Sequence, residues 1–258
     1  MVNGFSIPLG LQKKKLIMKK MNELRNWDNK TWLSSPTYIK SFNSFLLKHK
    51  KLSSNSKILD IGCGRGRIFG VLSSKIKLIN KPVGIDPVLH KDIDNRIDFK
   101  KQDVFKFFST NKDKFDLILI KQTLHFFGKD KRSKLIKICK ERLKKNGMLI
   151  IFTLVTQDNE IPCFKLMKQK LDRGLKRDSK MLVSMRKLLK DSKIGKFKFK
   201  VLVTKRKYIE MLKQRYISCL VNLNKGQIIN GIKEIKSLYK SKICFNDSLI
   251  FIKYIKKS

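Results

Sequence analysis

The sequence predicts an α/β protein built on a parallel sheet, and three observations predict it. The first is Lys57 to Gly66, where a short apolar strand ends on Asp60 and runs into three alternating glycines. The second is Lys81 to Pro87, another short apolar run that ends on a carboxylate, Asp86, 20 residues after Gly66. The third is the alternation that follows: strand-like apolar runs separated by helix-period stretches, as far as Val155.

The opening stretch organises the rest. Ile58, Leu59 and Ile61 suit a central parallel strand, which is apolar on both faces. Gly62, Gly64 and Gly66 allow positive φ and leave no side chain where a ligand must approach. A helix is expected from about Arg65 to Ser74, aiming its free N–H groups at the turn. This is a nucleotide-type site. The dinucleotide fingerprint Gly-x-Gly-x-x-Gly nevertheless fails, because Arg67 or Phe69 stands where its third glycine belongs.

The remaining elements follow in order. Residues 1–20 lack periodicity, carry Lys13-Lys14-Lys15 and read as a disordered tail, with Met18 or Met21 as alternative starts. Asn26 to Leu47 is helical and aromatic, with Trp27 and Trp32; Ser35 caps and Pro36 opens its second helix. Ile97 to Val104 reads as a third strand ending on Asp103, and Lys114 to Gln122 as a fourth, followed by Thr123-Leu124-His125-Phe126-Phe127. Asp130 to Lys144 is a helix, closed by Asn146-Gly147. Met148 to Val155 is the fifth strand. Pro162 to about Asp191 is basic and amphipathic, suited to roofing a substrate. A strand at Phe197 to Thr204, helices at Lys205 to Leu223 and Gly226 to Tyr239, and a last strand at Asp247 to Tyr254 complete the chain.

The totals exclude several classes. At 258 residues and 41% hydrophobic content the chain can build one large domain, here residues 21–258 with a cofactor core at 55–155, a helical cap and sheet completion at 156–240 and the last strand at 241–258. No apolar run approaches the ~20 residues of a membrane helix, and no secretory signal precedes the domain. Five scattered cysteines, with no Cys-x-x-Cys, fit a reducing cytoplasm and give no metal site. The net charge of +41 predicts attraction to polyanions. Only 11 of the 61 basic residues are arginine, however, and lysine is spread over every segment. Lysine, isoleucine and asparagine rising together read better as A/T-rich codon usage than as a nucleic-acid surface.

The order Asp-x-Gly-x-Gly-x-Gly at Asp60 to Gly66 resembles motif I of the class I S-adenosylmethionine-dependent methyltransferases. Asp86, Asp103, the Phe115-Asp116 pair and the Leu-Lys-x-x-Gly-x-Leu rhythm from Leu143 to Leu149 extend the resemblance. It implies a Rossmann-like seven-stranded sheet with helices on both faces, an antiparallel last strand, N-terminal lid helices and a helical insertion after strand five. It implies S-adenosylmethionine contacts at Asp60, Gly62, Cys63, Gly64 and Gly66, at the ribose with Asp86 and Pro87, at the adenine with Asp103 and Val104, and at Lys121 and Gln122. Trp32, Ser34 and Tyr38 would form a lid, the alternative being that these aromatics simply pack on the sheet.

Arg215 to Ser218 with Gly231 to Ile235, and His125-Phe126-Phe127 after strand four, are similar to the small-molecule branch that includes trans-aconitate methyltransferase. Phe126 replaces that branch's tryptophan. The Asn/Asp-Pro-Pro-Tyr/Phe signature of amino-group methylation is absent, and Pro162-Cys163 lies after strand five, where Cys163 is an ordinary thiol.

A small acceptor is therefore expected, an anionic one among the alternatives, with no membrane and no metal partner. His125 is the candidate base, the alternative being a pocket wall. His49 should face solvent and His90 should sit in a loop. RNA is the second acceptor class, and a non-catalytic S-adenosylmethionine-binding protein the third reading.

Overall fold

The structure is a computed structural model that describes residues 31–257. The expected tail and Trp27 lie outside them. The strands are β1 (Ile58–Ile61), β2 (Val83–Ile85), β3 (Asp98–Lys100), β4 (Phe115–Lys121), β5 (Leu143–Leu154), β6 (Lys193–Thr204) and β7 (Lys242–Ile255). They form one sheet in the order β3-β2-β1-β4-β5-β7-β6. Strands β1 to β5 pair in parallel, and β7 runs antiparallel to both β5 and β6. The last strand is thus antiparallel, as expected, and lies inside the sheet rather than at its edge.

The helices are α1 (Pro36–His49), α2 (Arg67–Ile76), α3 (Val104–Thr110), α4 (Lys129–Glu141), α5 (Lys165–Leu188), α6 (Lys205–Lys213) and α7 (Lys225–Leu238). They cover the sheet in two layers, each with its own core. On one face Tyr38, Phe42 and Leu46 of α1 pack with Phe69, Leu72, Phe152, Phe197 and Phe251. On the other, Phe107, Phe108, Leu135 and Ile136 pack with Leu59, Ile61, Ile118 and Ile120. Alternate residues of the central strands supply opposite faces, which is why these strands are apolar throughout.

Helix α5 belongs to both layers. Met167, Leu171 and Leu175 join the first core, whereas Met181 and Met185 join the second. At 24 residues it spans about 36 Å, long enough to pass from one face to the other over the carboxyl ends of the strands.

Local chemistry sets the boundaries. Ser35 accepts the Tyr38 N–H at 3.2 Å with Pro36 in the first turn of α1. Helix α2 starts at Arg67, two residues later than expected, because Gly66 holds φ at +71°. Helix α4 stops at Glu141 rather than Lys144, and β5 already begins at Leu143, which pairs with Phe115 before a register shift. Asn146 takes the expected left-handed conformation at φ +60°. The stretch expected to be helical from Lys205 to Leu223 breaks after Lys213 into a turn and a short 3-10 segment at Ser218–Leu220.

His49 is partly exposed, with one side of its ring packed on aromatics. Its ring centroid lies 4.4 Å from that of Phe45 and 5.0 Å from that of Phe251, and burial followed by the Lys253 charge lowers its pKa.

Candidate active site

A cavity of about 700 Å³ opens at the carboxyl ends of β1, β2 and β4, with α5 as its far wall. In an open α/β sheet this is where ligands bind. Its floor is the glycine turn. The Gly62 and Cys63 N–H groups donate to the Ile85 carbonyl at 2.8 and 3.2 Å, fastening the turn to β2. Gly62, Gly64 and Gly66 all have positive φ. A Cβ on Gly62 would sit 2.1 Å from Thr123 Oγ1, so this glycine serves the close approach of two strand ends. At Gly64, nothing lies within 4 Å of where a Cβ would be. That glycine leaves an open cradle.

Carboxylates ring the cradle. Asp86 accepts the Gly64 N–H at 3.0 Å and the Val88 N–H at 2.9 Å. It therefore clasps the turn as well as lining the cavity. His90 lies in a loop but is buried, with Nε2 3.9 Å from Asp86 Oδ1. Asp60 is buried, and desolvation raises its pKa to about 7 against the attraction of Lys121, with Asp86 adding to the rise. Burial, then Asp60 and Asp86, push the Cys63 thiol up, so it stays protonated.

Lys121 reaches inward from the end of β4, with Nζ 5.4 Å from the Tyr38 ring centroid and 5.6 Å from that of Phe42. Its charge acts on both Asp60 and Asp247. Gln122 follows in a left-handed conformation at φ +52°. Both residues line the cavity, as do Pro87, Trp32 and Ser34.

Tyr38, Asp103 and Val104 do not line it. Tyr38 is fully buried beneath Lys121, in the core between α1 and the sheet, so the lid expected of three residues contains two at the wall. Asp103 caps α3 by accepting the Phe105 N–H at 2.8 Å, and Val104 is buried in the second core.

His125 stands on a 3-10 turn, Leu124–Phe126, just beyond β4. Its Nε2 is buried and has no hydrogen-bond partner among the described residues. Burial, then the Arg177 charge, lower its pKa to about 4. The imidazole is thus neutral near pH 7, and His125 is among the residues lining the cavity.

Three groups at the wall were not foreseen from the sequence. Arg65 had been placed in the helix; it lies in the glycine turn and is 1% exposed. Asp247, expected only to begin the last strand, lies well within β7 and accepts a hydrogen bond from Trp32. Tyr216 packs edge-on against Trp32, 5.4 Å between centroids, and shares a 2.8 Å hydroxyl contact with Tyr208. Arg65 and Tyr216 stand inside the stretches Asp60–Gly66 and Arg215–Ser218, but as residues those patterns do not specify as site residues, and Asp247 carries no local motif. The basic residues of α5 at the wall, by contrast, were legible in its periodicity.

No group of three or more His, Cys, Asp or Glu among the described residues is placed to hold a metal. No helix among them is long and apolar enough to cross a membrane.

The sequence model of a family described as CheR methyltransferase, SAM binding domain, matches residues 76–160, from the end of α2 through β5. No curated protein sequence matches the chain. Among solved structures, the plantazolicin methyltransferase BpumL, solved with a pentazolic desmethylPZN analog and SAH, is 16% identical with a TM-score of 0.50, over 96% of this chain and 99% of that one. YcgJ of Bacillus subtilis is 14% identical with a TM-score of 0.51, over 84% and 98%. Precorrin-6y C5,15-methyltransferase of Geobacter metallireducens is 11% identical with a TM-score of 0.50, over 88% and 92%. The similarity to the trans-aconitate branch finds no counterpart among them. The chain thus has the fold of the solved methyltransferases it resembles, and its residues 76–160 match the S-adenosylmethionine-binding domain of a methyltransferase family.

Proposed function

We propose that the protein transfers a methyl group from S-adenosylmethionine to a small anionic acceptor by in-line displacement. The observation that carries this reading is the division of charge across one cavity. Asp60, Asp86 and Asp247 gather at the strand ends, with Arg65, Arg67 and Lys121 among them, whereas Lys170, Arg173 and Arg177 stand on α5 opposite, beside the Asp178 carboxylate. A cationic cofactor suits the first side and an anion the second.

The residues present fit the cofactor. Gly64 offers an open cradle of bare backbone, and the buried carboxylates suit a ligand that carries a sulfonium and an ammonium. Bound there, S-adenosylmethionine supplies a methyl on positively charged sulfur, which keeps the bonding electron pair and becomes a neutral thioether as the methyl bonds the acceptor. Asp86 and Pro87 would hold the ribose, and Asp60, Gly62, Cys63, Gly64 and Gly66 the amino-acid end. Lys121 and Gln122 would bound the reacting centre, and Trp32 with Ser34 would exclude water. Asp103 and Val104, beyond the cavity wall, would reach the adenine only if it extends past β3.

His125 has two roles open to it, set by the acceptor. A hydroxyl or amine nucleophile would pass its proton to Nε2; a carboxylate nucleophile would need no base. The plantazolicin methyltransferase BpumL, solved with a pentazolic desmethylPZN analog and SAH, is in keeping with a small acceptor.

The net charge of +41 favours RNA as the competing acceptor. Incubation with methyl-labelled cofactor and a metabolite extract, with an RNA fraction in parallel, separates the two. Label in a small acid is the expected result. Label confined to RNA would replace it, and SAH binding without transfer to either would leave a non-catalytic binding protein.

A further inference from the structure

The wall that α5 presents to the cavity has a regular composition. Lys170, Gly174 and Arg177 fall four and three residues apart, with Arg173 alongside. Side chains at those spacings share one helix face. The face is a basic stripe with a gap in its middle.

The gap has no packing reason. Nothing lies within 4 Å of a Cβ built on Gly174, so a larger residue would meet empty cavity rather than a neighbour. A glycine inside a helix costs about 1 kcal/mol relative to alanine. Its missing side chain gives room to something outside the chain.

The cations on one side of the gap, Lys170 and Arg173, are unpaired among the described residues, whereas Arg177 on the other side shares Asp178. Among the described residues, the ion pairs of α5 are Lys168–Asp172 and Arg177–Asp178. Lys170 and Arg173 have no carboxylate partner among them. Arg177 reaches Asp178 through Nε and Nη2, each 3.3 Å from Oδ1, and stands close enough to His125 for its charge to act on the ring. Arg177 therefore marks the reacting end of the stripe, and Lys170 the remote end, about 10 Å further along the helix axis.

Resting on the methyl-transfer reading above, we infer that the acceptor carries two anionic groups, carboxylate or phosphate. One lies beside Arg177 and His125. The other is a handle for Lys170 and Arg173, and the backbone between them crosses the gap at Gly174. The handle is remote from the transferred methyl, so its binding energy positions the acceptor without taking part in the chemistry. A single anion would leave one end of the stripe unused.

The test is calorimetric, on the full chain saturated with S-adenosylhomocysteine. The probes are α,ω-dicarboxylates of four to seven carbons, phosphonocarboxylates of the same lengths and the matching monocarboxylates. At least one dianion series should bind tenfold or more tighter than the monocarboxylates, the loss expected for one charged hydrogen-bonded group. Whichever series wins identifies the handle. That advantage should vanish in Lys170→Ala/Arg173→Ala, and Gly174→Leu should block the dianions. S-adenosylhomocysteine affinity should stay the same in both variants. Equal binding of mono- and dianions, or dianion affinity indifferent to the double substitution, would overturn the inference. So would a single-stranded RNA oligonucleotide that binds tighter than every dianion and loses that binding in the double variant. Should S-adenosylhomocysteine itself fail to bind, the methyl-transfer reading falls first, which separates the two failures.

Discussion

The indole Nε1 of Trp32 donates a 2.9 Å hydrogen bond to Asp247 Oδ2 across 215 positions of sequence. It ties the segment before α1 to a strand inside the sheet. Asp247 is almost fully buried, and its pKa is raised by desolvation against the pull of Trp32 and Lys121. Removing a hydrogen-bond donor from a buried acceptor costs about 1–3 kcal/mol. Trp32→Phe keeps the edge-on packing against Tyr216 and Phe245 and removes the bond. It should lower the melting temperature by roughly 2–4 °C per kcal/mol lost. Calorimetric melting of the two proteins checks this, and an unchanged Tm would show that the bond does not secure the segment.

The two glycines of the turn should fail differently. Gly62→Ala forces a Cβ to 2.1 Å from Thr123 Oγ1 at φ +76°, so the loss should fall on stability. At Gly64 the Cβ of a valine finds nothing within 4 Å, although φ +56° strains it. There the loss should fall mainly on S-adenosylhomocysteine affinity, because the side chain fills the cradle. Melting curves and titration calorimetry on both variants distinguish the outcomes. Normal ligand binding by Gly64→Val would move the cofactor elsewhere.

That contrast shows what the sequence could and could not disclose. Strands β1, β4 and β5 were legible because central parallel strands are apolar on both faces, and β1 and β2 also because the carboxylates of Asp60 and Asp86 mark their ends. The antiparallel ending came through the family resemblance; neither alternation nor charge fixes where a strand inserts. Asp86 was legible as a strand-tip acid, but not as the clasp for the Gly64 N–H, since that bond depends on how the turn folds back over β2. Tyr38 at helix spacing with Phe42 was compatible with lid and core alike, and packing under the sheet decided for the core. Arg65 and Asp247 were missed because they are functional neighbours only in three dimensions.

Asp60 makes cofactor binding pH-dependent. Burial, before any other cause, raises its pKa from the ordinary carboxylate range to about 7. The folded protein thus holds a proton that the unfolded chain has released between about pH 4 and 7, and stability falls as pH rises through that window. Below it both states are protonated; above it both are ionised and the loss is complete, at a few kcal/mol. A cationic ligand favours the ionised carboxylate, so S-adenosylmethionine binding at pH 6 should expel a proton and affinity should rise toward pH 7–8. Calorimetry in buffers of different ionisation enthalpy measures the release directly. Asp60→Asn should abolish it, and proton-neutral binding by the unaltered protein at pH 6 would place the cofactor's charge away from Asp60.

His125 offers the sharpest view of the acceptor chemistry. With a pKa of about 4 in the free protein, set by burial and then by Arg177, it is neutral across the physiological range and leaves kcat/KM flat from pH 6 to 8 on its own account. An anion placed beside Arg177 would offset that charge and raise the imidazole's basicity as the acceptor binds. If His125 takes a proton from the nucleophile, His125→Gln should lower kcat about 10²–10⁴-fold while S-adenosylhomocysteine affinity stays the same. The acid limb of kcat should then lie at higher pH than that of kcat/KM, because the first reports the complex and the second the free enzyme. A variant with undiminished kcat would assign the nucleophile to a carboxylate that needs no base, and would leave His125 as a wall of the cavity.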